Sequence, residues 1–502
     1  MGYTKTYRDG TTPTVAIIGA GFSGLCAAIR LQTQLSLYTY QVFELEPDLG
    51  GTWWSNTYPN AACDVRSVTY SFSFEPNYDW SQRYAGQAEI WAYMRRCAQK
   101  HNVYEKIKFR TEVTAVKWEQ DRQKWTVNYM NLATGEQSSM EADIVFAGTG
   151  PLRIPQIPKQ FEAFEGPKWH TAQWNHSYDI TGKRIAIVGS GASAIQVVPG
   201  IVDKVKSLEF YQRTPTYIIP RNNASYSSLT KFLFRYLPFL YKINHKLVYW
   251  SSEITINTFS NKFVHKVPRL IATFLSWMHR FVQIRNKRLR EKLTPQYEMG
   301  CRRIVVSSDY FPALAKKHVN VHTEAIESIK GNTLYLRDGS SQEVDALVLA
   351  TGFKVQEMVP PKFVTGKGGV DLQACWGKNP STYYGMTCPQ TPNLFFLLGP
   401  NTGLGHNSVL FMIETQVDYA IKAISHMMAN NLSALEVTPN ACKDFMTELD
   451  AKMQQKVWSS ACQSWYQNDE GRVTALWWGS VSQYWRRLSR FHPERFVGTH
   501  RT

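Results

Sequence analysis

The chain has 502 residues, too many for one hydrophobic core, so two or three interlocked domains are expected. Its 43% hydrophobic and 19% charged residues are those of a folded globular protein, which excludes disordered and fibrous classes. The formal charge of +16 is concentrated in residues 221–300, where fourteen Lys and Arg stand against Glu253, Glu291 and Glu298; with no nucleic-acid-binding motif beside it, that charge points to an anionic cofactor or surface rather than to nucleic acid.

From the N-terminus, a short polar tail runs directly into a strand without the apolar core of a leader peptide. That strand opens Val15-Ala-Ile-Ile-Gly19-Ala-Gly21-Phe-Ser-Gly24, followed by a helix with small residues on its packing face. The glycines have separate tasks: Gly19 allows the tight turn, Gly21 lets the backbone approach a pyrophosphate, and Gly24 lets the helix pack close to the strand. The next strand ends at Glu44, an acid placed for a ribose hydroxyl, as FAD requires. Trp53, Trp54 and Tyr58 are candidates for walls of a dry site.

A second unit of the same kind starts 170 residues after the first, with Gly189, Gly191 and Ala194 in the three glycine positions. One such motif is weak evidence; two in strand–loop–helix context are strong. Here the following strand leads to Arg213-Thr214 where the first unit has an acid. A guanidinium can bind a 2′-phosphate bidentately, which favours NADPH over NADH.

Residues 221–300 show helical apolar spacing interleaved with basic residues, but no uninterrupted span of about 18 apolar residues. Two readings stand: a helical insertion packed on the second dinucleotide domain, or a basic amphipathic surface touching lipid. Strands ending in Gly150 and Gly352 lead to Gly turns at domain crossovers, and the loop Thr402–Ser408 precedes another helix. The fold expected is α/β, with two Rossmann-like domains: residues 1–150 and 346–502 for FAD, and 151–345 for NADPH with the insertion at about 221–300. Eight scattered cysteines form no CxxC pair and no zinc spacing, which argues for a reducing, cytoplasmic setting without disulfides and against a disulfide reductase.

These motifs resemble the class B flavoprotein monooxygenases, and within them the type I Baeyer–Villiger monooxygenases. Phe164-Glu-Gly166 through His170 to Trp174-Asn175 is similar to that family's fingerprint before the second Rossmann unit, and Gly50-Gly51-Thr-Trp53 through Tyr58-Pro59 to Asp64 is similar to another. Asn175 and Asn60 depart from the family pattern. The resemblance runs from about residue 14 to about residue 415 and is loose thereafter. It implies that Arg303, in Gly300-Cys301-Arg302-Arg303, is the active-site arginine beside the flavin and Asp64 its carboxylate partner. It implies that Arg302, Arg213 and Thr214 hold the NADPH 2′-phosphate, and that Trp53 lies at the flavin. His170 then belongs to the linker between cofactor domains rather than to acid–base catalysis. The implied reaction places one oxygen atom of O2 beside a ketone carbonyl, giving an ester or lactone; the aromatic insertion, read as a wall of a roomy apolar pocket, points to a bulky apolar substrate. Oxidation of nitrogen or sulfur on the same fold, and a basic lipid-binding scaffold without flavin, are the alternatives.

Overall fold

Four buried residues, Val15–Ile18, form the centre of the first sheet, and their run of apolar side chains is what a strand covered on both faces needs. Val15 and Ile17 face the helix Phe22–Leu35, which packs against the long helix Val409–Ala429. Ala16 and Ile18 face an antiparallel layer built around Trp118 and Trp125. The computed structural model describes residues 2–261, 266–460 and 462–501. Across the first sheet the strands run Leu394–Phe396, Ile144–Ala147, Val15–Ile18, Tyr40–Phe43 and Ile107–Lys108, all parallel.

The second sheet repeats the plan. Its parallel strands run Val319–His322, Ser207–Tyr211, Arg184–Val188, Ala346–Leu349 and Lys168–His170. Ile185 and Ile187 pack under the helix Ala192–Ile201, while Ala186 meets the hairpin layer around Leu334 and Leu336. The expected α/β architecture with two Rossmann-type sheets is therefore present. One boundary moves: Ala346–Leu349 pairs with Arg184–Val188 in the second sheet, so the chain returns to the first sheet after this strand, not at residue 346. The strand was assigned by its position in the chain, whereas hydrogen bonding to a strand some 160 residues earlier decides its sheet.

Two glycines of these strand–turn–helix units hold positions that admit no side chain. A Cβ on Gly24 would lie 1.8 Å from the Gly19 carbonyl oxygen, so the helix could not approach its strand. Gly189 has φ +118° and a Cβ there would stand 2.2 Å from the Ala350 oxygen.

Residues 228–283 form three helices, Ser228–Tyr236, Pro238–Ile254 and Lys266–Gln283. The insertion is not confined to the second domain. The third helix rests on Ile218–Ile219 and Tyr310–Leu314 of that domain, but the second packs Tyr241 and Val248 on Val68 of the first. Among the described residues no helix is long and apolar enough to cross a membrane.

Glu253, at the end of the second helix, ties the insertion to the C-terminal segment. Its carboxylate accepts hydrogen bonds from Asn407 Nδ2 (2.9 Å), from the backbone N–H groups of Val481 and Ser482 (both 3.1 Å) and from Ser482 Oγ (2.9 Å). The two amides open the helix Val481–Leu488, where negative charge is favoured. Burial works to raise this carboxyl's pKa, but the His406 ring 3.4 Å away and hydrogen bonds from Asn407 and Ser482 bring it down from 4.5 to about 2. A depressed folded-state pKa stabilises above the unfolded value, so this contribution is complete above pH 4.5 and is lost as pH falls towards about 2. Glu253→Gln should cost about 3 kcal/mol in urea unfolding at pH 7, and the difference from wild type should shrink below pH 4.5; a pH-independent difference would contradict the assignment.

Candidate active site

A cavity of about 2370 Å³ lies between the two sheets at the ends of their strands. It exceeds the roughly 300–1,000 Å³ of an ordinary single-ligand site. Both glycine loops open into it, at Gly19 and Gly21 on one side and Gly189 and Gly191 on the other. A Cβ at Gly191 would meet no atom within 4 Å, and one at Gly21 would meet only Gly51 Cα, at 3.7 Å. That open ground before each helix suits a phosphate group. Gly24 and Ala194 lie outside the cavity; Ala194 is fully buried, and both serve the contact of helix with strand.

Glu44 is buried at the cavity edge. It accepts the N–H of Ala20 at 2.6 Å and that of Glu46 at 3.0 Å, one on each oxygen. Each oxygen keeps a further lone pair. Burial raises its pKa despite these bonds. On the opposite side Arg213 is exposed at the rim and Thr214 accepts from Ser190 Oγ at 2.6 Å. Arg302 lies over the Tyr297 ring at 5.1 Å, with its Nε buried and without a hydrogen-bond partner. Among the described residues no carboxylate pairs with Arg213 or Arg302, so two cations face this end of the cavity unneutralised.

Arg303 and Asp64, 239 positions apart, meet inside the cavity. Arg303 Nη2 and Nε donate to Asp64 Oδ2 at 2.6 and 3.2 Å, and Nη1 donates to the Leu404 carbonyl at 2.9 Å. The charge on Asp64 outweighs burial and raises the guanidinium pKa above its ordinary value, so Arg303 is cationic at every working pH. Tyr466, buried against this pair, has its phenol pushed up to about 12, chiefly by burial.

Trp53 lines the cavity and donates its indole N–H to Tyr70 at 3.1 Å. Tyr58 also lines it and donates to Gln196 Oε1 at 2.9 Å. Trp54 does not: on the short helix Thr52–Ser55 its ring lies 5.7 Å from Trp91, away from the cavity. His170 is buried outside the cavity, with Nδ1 accepting the Ala172 N–H at 3.1 Å and its ring edge-on to Phe353 in the crossover. Burial lowers its pKa to about 4, so it is neutral near pH 7.

Three features went unread in the sequence. Gln196 joins the two domains: besides Tyr58 it bonds both the N–H and the carbonyl of Ala62, at 3.3 and 2.9 Å. The C-terminal segment, whose motifs match loosely, supplies a wall of the cavity through Gln463–Trp465 and Thr474–Leu476. Cys301 and Cys462, 161 positions apart in sequence, are joined as a disulfide, with Cα atoms 6.2 Å apart. This corrects the expectation of a disulfide-free chain and removes cysteine usage as an argument for a reducing compartment. No local spacing marks a pair formed over that distance.

The family model described as flavin-binding monooxygenase-like matches residues 12–267. A Baeyer–Villiger monooxygenase of Pseudomonas aeruginosa is 40% identical over 480 residues, covering 95% of this chain and 89% of that one. An FAD-binding monooxygenase of Aspergillus niger is 35% identical, covering 98% and 82%. Among solved structures, an oxidized steroid monooxygenase bound to NADP superposes with a TM-score of 0.83 at 26% identity, covering 98% of this chain and all of that one. Paired glycine loops on one cavity, a fold shared end to end and this level of identity agree: the chain belongs to the flavin-binding monooxygenase-like family, among its Baeyer–Villiger monooxygenases.

Proposed function

We propose that the enzyme binds FAD and NADPH and inserts one oxygen atom of O2 beside the carbonyl of a ketone, giving an ester or lactone. Among the described residues no aromatic side chain of the insertion lines the cavity, so the insertion does not mark the ketone as bulky. The observation that carries this reading is Arg303, cationic and clamped by Asp64 and Leu404 O within a cavity bordered by both glycine loops. Bound FAD, reduced by NADPH, supplies the chemistry that activates O2.

The chain's own residues do the rest. The amides after Gly21 and Gly191 receive the two pyrophosphates, and the spare lone pairs of Glu44 receive ribose hydroxyls. Arg213, Arg302 and Thr214 hold the 2′-phosphate of NADPH; that no carboxylate among the described residues pairs with either arginine supports this. Arg303 places fixed positive charge where it can stabilise the negative charge that the attacking oxygen carries and that passes to the substrate's carbonyl oxygen as the carbonyl carbon is attacked, an effect worth about 3 kcal/mol in a dry site. Asp64 is a positioning residue that holds the guanidinium plane. Trp53 and Tyr58 help exclude water, which protects activated oxygen from wasteful loss. His170, neutral and outside the cavity, couples the crossover at Phe353 to the second sheet and carries no proton in the reaction.

The test is product analysis with flavin-loaded enzyme and NADPH, offering aryl ketones beside thioethers of matching shape. Esters are the expected products from the ketones. Turnover of thioethers to sulfoxides with no ester from any ketone would replace this reading with heteroatom oxidation.

A further inference from the structure

The insertion wears its apolar faces outward. Along Lys266–Gln283, Val267, Leu270, Phe274, Trp277 and Phe281 follow helical spacing, the pattern that ordinarily turns towards a core. Here they are 48–66% exposed, while Arg269, Ser276 and Arg280 point inward at 8% or less. Phe274, Trp277 and Phe281 stack along the surface, their ring centroids 5.8 and 5.2 Å apart. The helix Pro238–Ile254 repeats the arrangement with Phe239, Ile243, Leu247, Trp250 and Ile254, each more than half exposed. Leu229, Phe232 and Tyr236 extend it on the first helix, which packs on the second. Monomers in water rarely leave so much apolar surface uncovered.

The charge beside this surface selects its occupant. Of the eight Lys and Arg in the sequence between residues 228 and 283, Arg269 and Arg280 are buried and Arg235 pairs with Asp79, which leaves lysines as the surface charge; the one carboxylate of the stretch, Glu253, is buried. Lys242 and Lys246 are exposed next to Ile243 and Leu247, and Arg285, Lys287 and Arg288 continue the positive rim. Two copies of this face would bring like charges together, whereas a layer of anionic headgroups would complement it. Among the described residues no helix is suited to crossing a bilayer, so contact would be with its surface.

We propose that residues 228–283 dock the enzyme on an anionic phospholipid membrane, the apolar side chains entering the interface and the lysines and arginines meeting the headgroups. This is separate from the oxygenase reading, because none of these side chains is assigned to either cofactor. The experiment sediments the FAD-loaded chain with vesicles of phosphatidylcholine alone or mixed with phosphatidylglycerol. Binding to the mixed vesicles should be on the order of tenfold stronger and should weaken with added salt. Phe274→Glu, and independently Leu247→Glu on the neighbouring helix, should each lower binding on the order of tenfold with bound FAD and NADPH oxidation unchanged. Wild-type protein that stays in solution with both vesicle types, or binds both equally, would overturn the proposal. So would a stable dimer in vesicle-free buffer that Phe274→Glu converts to monomer, since a second copy would then cover the face.

Discussion

Replacing Arg303 by alanine should leave reduction of the flavin by NADPH near its wild-type rate and lower ester formation on the order of 100- to 1,000-fold. The guanidinium uses three of its five N–H donors on Asp64 and the Leu404 carbonyl, leaving two for the cavity. Alanine removes the cation exactly where the account needs it, so transition-state stabilisation is lost while hydride delivery, which does not develop that charge, is spared. Lysine at this position restores charge without the planar fork and should recover only part of the rate. Asp64→Asn keeps Arg303 but loosens it, and a loss on the order of tenfold is expected. Anaerobic stopped-flow absorbance reads reduction and chromatography reads the ester; ester formation by Arg303→Ala at the normal rate would remove the oxyanion role.

The second large effect concerns cofactor choice. Arg213→Ala should raise KM for NADPH on the order of 10- to 100-fold while changing KM for NADH little, because only NADPH carries the 2′-phosphate. Arg213 is exposed at the cavity rim and has no ion-pair partner among the described residues, so its truncation leaves no carboxylate stranded. Steady-state kinetics with both nucleotides decides the matter. Equal increases would mean that Arg213 serves general electrostatic attraction, and Arg302 would become the remaining candidate.

What the sequence made legible follows from the range of the interactions concerned. The Gly19–Gly24 and Gly189–Ala194 units are local: strand, turn and helix are specified by neighbouring residues, and their placement around one cavity follows from the fold they build. The Arg303–Asp64 pair spans 239 residues and was reached only through resemblance, since nothing in either local sequence points to the other. The clasp of Gln196 on Tyr58 and Ala62 is equally non-local, and a glutamine within an apolar helix carries no distinguishing mark. Trp54 is not a wall residue: its ring turns to Trp91, a partner 37 positions away that nothing in the local sequence marks. The insertion left two readings open, and its periodicity could not separate them: the same apolar stripe serves a core or an interface, and only the inward positions of Arg269 and Arg280 show which way the third helix faces.

In the proposed reaction, oxygen from O2 enters the substrate between a carbonyl carbon and its neighbour. The most direct measurement is a turnover of the FAD-loaded enzyme with NADPH, isotopically heavy O2 and an aryl ketone, followed by mass spectrometry of the product. The account predicts an ester with a single heavy atom at the bridging oxygen and an unlabelled carbonyl. An unlabelled product, or hydrogen peroxide as the sole destination of the label while ketones from the whole panel are returned unchanged, would contradict it.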